Sequence, residues 1–118
     1  MGKGSILLVD DDTMSSQILS LILTDEGYDV DLAETGELGV EKVSMKKFDL
    51  VFLDFLLPDM KGHDASVIMK KVSPDTKIVL LTGYAKSDDE TSEKEYARVL
   101  LKPIHPELIL KTITEVLG

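Results

Sequence analysis

The chain has 118 residues, 43% of them hydrophobic, and a formal net charge of −9. That length supports one core rather than two, the lack of cysteine excludes disulfides and thiolate metal sites, and the acidity leaves no lysine- and arginine-rich surface for a phosphate backbone. No apolar stretch approaches the roughly 20 residues of a membrane span, and "MGKGS" at the amino terminus is too short for a signal peptide, so the expected location is cytoplasmic.

Ile6-Leu7-Leu8-Val9 is a continuous apolar run, the pattern of a strand buried on both faces in a parallel sheet. Met14, Ile18, Leu21 and Ile22 follow at i, i+4, i+7 and i+8, which predicts a helix with that stripe toward the core and Gly27 past its end. Asp29-Val30-Asp31-Leu32 alternates, as an edge strand with one wet face does. Leu38 and Val43 mark a weaker helix after Thr35-Gly36. Leu50-Val51-Phe52-Leu53 repeats the buried-strand pattern. A turn from Pro58 to Gly62, with the glycine meeting a backbone demand, leads into a third helix. That helix has Ala65, Ile68, Met69 and Val72 at i, i+3, i+4 and i+7, and stops before Pro74. Ile78-Val79-Leu80-Leu81 is a fourth strand. Lys86 to Glu95 contains no apolar residue, so a fourth helix there has no face to bury and is expected to be short, frayed or mobile. Val99-Leu100-Leu101 is a fifth strand. Ile109, Ile113, Val116 and Leu117 mark a last helix, with Pro106 in its first turn and His105 as its cap. Neither His63 nor His105 has metal-ligand company. Strand and helix alternate five times, which predicts a single α/β domain over residues 1–118, helices on both faces of a parallel sheet.

In open parallel sheets, ligands bind at the carboxyl ends of the strands, near the switch in strand order. The apolar runs end in Asp10-Asp11, Asp54, Thr82 and Lys102. If these strands are neighbours, the four ends meet at one rim. Three carboxylates there need a cation to answer their repulsion. Oxygen-only ligation suits a hard ion, Mg²⁺ above all, with Mn²⁺ as a substitute. A carboxylate nucleophile, a hydroxyl and a lysine complete a set for phosphoryl chemistry. Each residue alone has a blander reading: a helix cap, a loop acid, a strand-end hydroxyl, a solvated lysine. Their joint placement at four strand ends outweighs those readings. Asp12 stands where the first helix begins and reads as its cap.

"ILLVDDD", "DLVFLDFLLPDMKG", "IVLLTGY" and "LLKP", in that order, resemble the receiver domain of two-component response regulators. The resemblance runs from Ile6 to the last helix. It implies a flavodoxin-like, doubly wound α/β/α fold: a five-stranded parallel sheet of order 2-1-3-4-5 with five helices. It implies a signalling switch rather than an enzyme, with Asp54 taking a phosphoryl group from a sensor histidine kinase or phosphotransfer protein in a Mg²⁺-dependent reaction. Asp11 would hold the metal directly, Asp10 through a water, Asp54 by its carboxylate and Leu56 by its backbone carbonyl. Thr82 would bond the phosphoryl group and start the switch, Lys102 would pair with a phosphoryl oxygen, and Lys102-Pro103 would be a cis peptide. An output domain or downstream protein would read the state, a homodimer is compatible with it, and no membrane or direct nucleic-acid contact is implied.

The sequence departs from the family pattern on the face that commonly carries the output signal. Val99 stands where Tyr or Phe is usual, so the coupling of Thr82 to a swinging ring is missing. Glu95-Tyr96-Ala97-Arg98 replaces a small-residue pattern, the stretch from Thr82 to Lys102 is short, and the fourth helix lacks an apolar stripe. Leu56 and Tyr84, two residues beyond Asp54 and Thr82, are expected at the pocket edge, where bulky side chains would slow attack of water on an acyl phosphate. Other classes fit less well. A Mg²⁺ phosphohydrolase needs a second acid where Leu56 stands, and a flavin-binding domain needs a phosphate loop where three aspartates stand. The intact acids and Lys102 argue against a degenerate receiver that only binds partners, while Val99 argues for it.

Overall fold

The computed structural model describes residues 3–83 and 96–118. Its elements are β1 (Ser5–Val9), α1 (Thr13–Asp25), β2 (Asp29–Ala33), α2 (Gly36–Met45), β3 (Leu50–Asp54), α3 (Gly62–Val72), β4 (Lys77–Thr82), β5 (Arg98–Leu101) and α4 (Pro106–Leu117). The strands form one parallel sheet in the order β2-β1-β3-β4-β5. Four helices, not the five expected, are present among the described residues. The helix expected over Lys86 to Glu95 lies outside them. Among the described residues no helix is long and apolar enough to cross a membrane.

Successive strand residues point to opposite faces, and the continuous apolar runs of β1, β3 and β4 fill both. The similar run in β5 does not, because β5 is the other edge of the sheet, with Val99 and Leu100 only partly buried and Leu101 55% exposed. Leu7, Val9, Val51 and Leu53 pack against Val43 of α2 and Ala65 and Met69 of α3. Ile6, Leu8, Leu50 and Phe52 pack against Leu23 of α1 and Ile109 and Ile113 of α4. The result is three layers. β2, at the edge, buries only Ala33 fully, as its alternating sequence predicts.

Two helices, α1 and α3, present a different face from the one their spacing suggests, and α4 presents the expected one. In α1, Met14, Ile18 and Leu21 are 73%, 55% and 72% exposed, while Ser16 and Leu23 are buried. Residues 18 to 23 contain two overlapping apolar stripes. The observed rotation turns Ser16, Leu19 and Leu23 toward the sheet. In α3, Ala65 and Met69 are buried but Ile68 and Val72 are exposed, with Ser66 taking an inward place. In α4, Ile109 and Ile113 are buried, Val116 packs at the margin and Leu117 is exposed. His105 occupies the N-cap position, but its imidazole makes no cap bond; its carbonyl accepts from the Leu108 and Ile109 N–H groups instead. Gly27 ends α1 at φ +104°, a left-handed conformation that favours glycine.

Candidate metal centre

Sheet register brings the strand ends together. Val9 pairs with Leu53, Asp54 with Leu81 and Thr82 with Leu101. Asp10, Asp54, Thr82 and Lys102 therefore emerge along one rim. Asp10, Asp11 and Asp54 each offer a carboxylate oxygen, and these atoms lie within 4.8 Å of one another.

The three acids that open the first loop divide their work. Asp10 is pinned to the sheet by its N–H, which donates to the Ala33 carbonyl at 3.0 Å. Its Oδ1 accepts from the Asp12 N–H at 3.0 Å, and its Oδ2 lies 3.2 Å from Lys102 Nζ. Asp11 is exposed and joins the cluster from the solvent side. Asp12 caps α1: its Oδ1 accepts from the Ser15 N–H at 3.2 Å and its Oδ2 from the Ser15 hydroxyl at 2.8 Å. Those two bonds, the hydroxyl's first, hold its carboxyl below the usual carboxylate range.

Asp54 is buried at the end of β3, with Lys102 Nζ 3.1 Å from its Oδ1. Burial pushes its carboxyl upward, the charge of Asp10 adds to that, and Lys102 opposes both. Burial also pulls the Lys102 ammonium down, but Asp10 and Asp54 outweigh it and hold the group above its ordinary value. Thr82 is buried, and its carbonyl accepts from the Lys102 N–H at 2.7 Å. The Lys102-Pro103 peptide is cis. Asp54, Phe55, Leu56, Gly83 and Lys102 line a depression of about 390 Å³. A second cavity, about 540 Å³, opens between α1 and α4, has Asp10 in its wall and shares Lys102 with the first.

Gly62 presses against β3 from the start of α3. A Cβ there would overlap the Asp54 carbonyl oxygen and come within 3.1 Å of Phe55 Cα. Its N–H donates to the Phe55 carbonyl at 2.6 Å. This is a close approach that only glycine permits. Leu56 lies at the lip of the depression, 48% exposed. Val99 does not reach the rim; it pairs with Leu80 inside the sheet and packs on the core beneath α2 and α3. Tyr84 lies outside the described residues.

Two contacts near the site have no simple motif. Asp59 accepts two N–H groups at the start of α2. Tyr96, buried just before β5, places its hydroxyl 2.8 Å from His63 Nδ1, with the rings edge-on at 6.3 Å. A lone aromatic beside Ala97 at the head of a strand was the available signal for the second. The chemistry of the donor set fits a hard divalent cation. Three carboxylates against one ammonium leave a local charge of −2, and the donors are all oxygen.

The sequence matches the family model of the response regulator receiver domain over residues 6–114. The chain belongs to that family. This receiver domain is 32% identical over 112 residues to the cell cycle transcriptional regulator CtrA of Caulobacter vibrioides, a match that covers 92% of this chain and 48% of CtrA. It therefore spans about half the length of that curated relative. The CheY-like receiver domain protein of Methanospirillum hungatei JF-1 matches with a TM-score of 0.88 at 34% identity, over 94% of this chain and 90% of that one. TrrA of Thermotoga maritima, solved in complex with Mg(2+)-BeF, matches with a TM-score of 0.84 at 30% identity, over 95% of this chain and 97% of that one.

Proposed function

We propose that this receiver domain, a single unit over residues 1–118, accepts a phosphoryl group on Asp54 in a Mg²⁺-dependent reaction and passes the change to a partner. The observation that carries this reading is the position of Lys102 Nζ, 3.1 Å from Asp54 and 3.2 Å from Asp10, at the edge of a three-carboxylate cluster. Asp10, Asp11, the Asp54 carboxylate and the Leu56 carbonyl would hold the ion, with Mn²⁺ as a substitute. When bound, the metal supplies neutralisation of charge on the phosphoryl oxygens.

The rest of the chemistry belongs to the side chains. Burial leaves the Asp54 carboxylate poorly solvated and more basic than a surface acid, which favours it as a nucleophile. One of its oxygens attacks phosphorus, the oxygen–phosphorus bond forms, and the bond from phosphorus to the donor breaks with its electron pair leaving on the donor. The product is an acyl phosphate. Lys102 then exchanges its contact with Asp54 for a phosphoryl oxygen, and Thr82, tied to Lys102 through the backbone, donates its hydroxyl to another. Leu56 and Tyr84 would limit the approach of water. The donor would be a sensor histidine kinase or phosphotransfer protein in the cytoplasm, and the reader an output domain, a downstream protein or a second copy. A phosphohydrolase is disfavoured because Leu56 offers no second acid.

Incubation with Mg²⁺ and a small acyl-phosphate donor, followed by intact mass measurement, tests the reading. A single phosphoryl adduct that disappears in Asp54→Asn is expected. No adduct on the wild type, or an equal adduct on Asp54→Asn, refutes it.

A further inference from the structure

The loop between β3 and α3 carries Leu56, whose carbonyl belongs to the metal set in the reading above. It is fixed at both ends. At the α3 end, Gly62 lies against the Asp54 carbonyl. At the tip, the attachment comes from another helix. Asp59 reaches across to the amino end of α2, where its Oδ1 accepts from the Gly36 N–H at 2.8 Å and its Oδ2 from the Glu37 N–H at 2.9 Å. Met60 is seated beside it. A Cβ on Gly36 would meet Met60 Cγ at 2.5 Å and Sδ at 2.6 Å, so the absence of a side chain at Gly36 makes room for the loop. Inside the loop, the Leu57 N–H donates to the Met60 carbonyl at 3.1 Å, and Leu56 bridges to Lys61. A displacement of Asp59 is thus passed to Leu56 through a closed turn.

Helix α2 has a cap of its own. The Thr35 hydroxyl accepts from the Leu38 N–H at 3.0 Å and the Thr35 carbonyl from the Gly39 N–H at 3.0 Å. Water can satisfy the remaining amides of an exposed helix end, so the helix does not depend on Asp59 for its existence. The loop has more at stake. A carboxylate whose two oxygens each take one amide is held in both position and orientation, and the same bonds keep Asp59 ionised by lowering its pKa.

We propose that Asp59 is a positioning residue for the metal centre: it ties the β3–α3 loop to α2 and so aims the Leu56 carbonyl at the cluster of Asp10, Asp11 and Asp54. The proposal rests on the metal reading given above. Groups that orient a metal ligand commonly change affinity by roughly 10-fold or more when removed. Mg²⁺ titration by calorimetry, at a temperature where circular dichroism shows every variant folded, tests it. Asp59→Ala is expected to bind Mg²⁺ roughly 10-fold more weakly than the wild type, and Asp59→Asn, which keeps one acceptor oxygen, to fall between them. Thr35→Ala removes the helix's own cap without touching the loop; it is expected to lower the unfolding midpoint and leave Mg²⁺ affinity unchanged. Wild-type affinity in Asp59→Ala overturns the proposal and leaves the metal reading standing. Equal weakening in Thr35→Ala also overturns it, because the effect is then general destabilisation. No Mg²⁺ binding by the wild type overturns the metal reading and the proposal together.

Discussion

Replacing Lys102 by methionine keeps most of the side-chain stem and removes the charge. Its Nζ lies 3.1 Å from Asp54 and 3.2 Å from Asp10, and each contact is worth about 5 kcal/mol before solvation at an effective dielectric near 20. Dehydration of the ammonium takes several kcal/mol back, and the side chain is 34% exposed, which screens much of the rest. Exposed pairs net less than about 1 kcal/mol, and removal of one partner from a buried pair costs about 3–5 kcal/mol. This pair is intermediate in burial, so Lys102→Met is expected to lose about 2 kcal/mol without divalent metal. The variant should also bind Mg²⁺ more tightly, because the lysine contacts two of the carboxylates that would hold the ion. A ligand at 100 times its Kd contributes about 2.7 kcal/mol, and the tighter binder gains more at any fixed concentration. The stability deficit should therefore shrink as Mg²⁺ is added. Urea unfolding followed by circular dichroism, in chelator and in Mg²⁺, reads both effects. Equal stability in chelator, or a deficit that Mg²⁺ leaves unchanged, refutes the reasoning.

Metal-free stability should depend on pH through Asp54. Its folded pKa is raised by burial and Asp10, so the stability it contributes is full below the unfolded value of 3.8 and is lost as pH rises through the folded value. The wild type should therefore lose stability relative to Asp54→Asn between acid and neutral pH, measured as the difference in urea midpoints. Asp11→Asn should sharply weaken Mg²⁺ binding in calorimetry, whereas Asp12→Asn should keep it, because asparagine still caps a helix and Asp12 bonds Ser15 rather than the cluster. Gly62→Ala should cost about 3 kcal/mol in urea unfolding and abolish the phosphoryl adduct, since the new Cβ meets the backbone of Asp54 itself.

The parts of the molecule legible in the sequence are those fixed by strand periodicity. Continuous runs identified three doubly buried strands, β1, β3 and β4, and misjudged the fourth, since β5 is a partly exposed edge. An alternating run identified the other edge, and the residues ending the runs proved to be neighbours at one rim. The division of the acids into Asp10 and Asp11 in the cluster and Asp12 at the helix cap was also readable, because a cap is a local demand. The rotation of α1 and α3 was not. Leu19 and Leu23 share their turns of α1 with Ile18, Leu21 and Ile22, and spacing alone does not choose between two stripes when both are apolar. Long-range polar contacts were hidden for another reason. Asp59 bonds amides 22 and 23 residues away, and Tyr96 meets His63 across 33 residues. No period in the chain encodes such pairs; they follow from how the finished layers stack.

The bond from Lys102 to Asp10 joins residues 92 positions apart in a chain of 118. The acid follows the first strand and the lysine follows the fifth, so the lysine is made long after its partner. Contacts of such separation form only after the intervening chain has closed. A growing polypeptide therefore carries Asp10 and Asp54 through the synthesis of β4 and β5 without the ammonium that contacts both. The full cluster is assembled only with the fifth strand, so a chain unfinished or misregistered at β5 lacks the ammonium that answers its carboxylates.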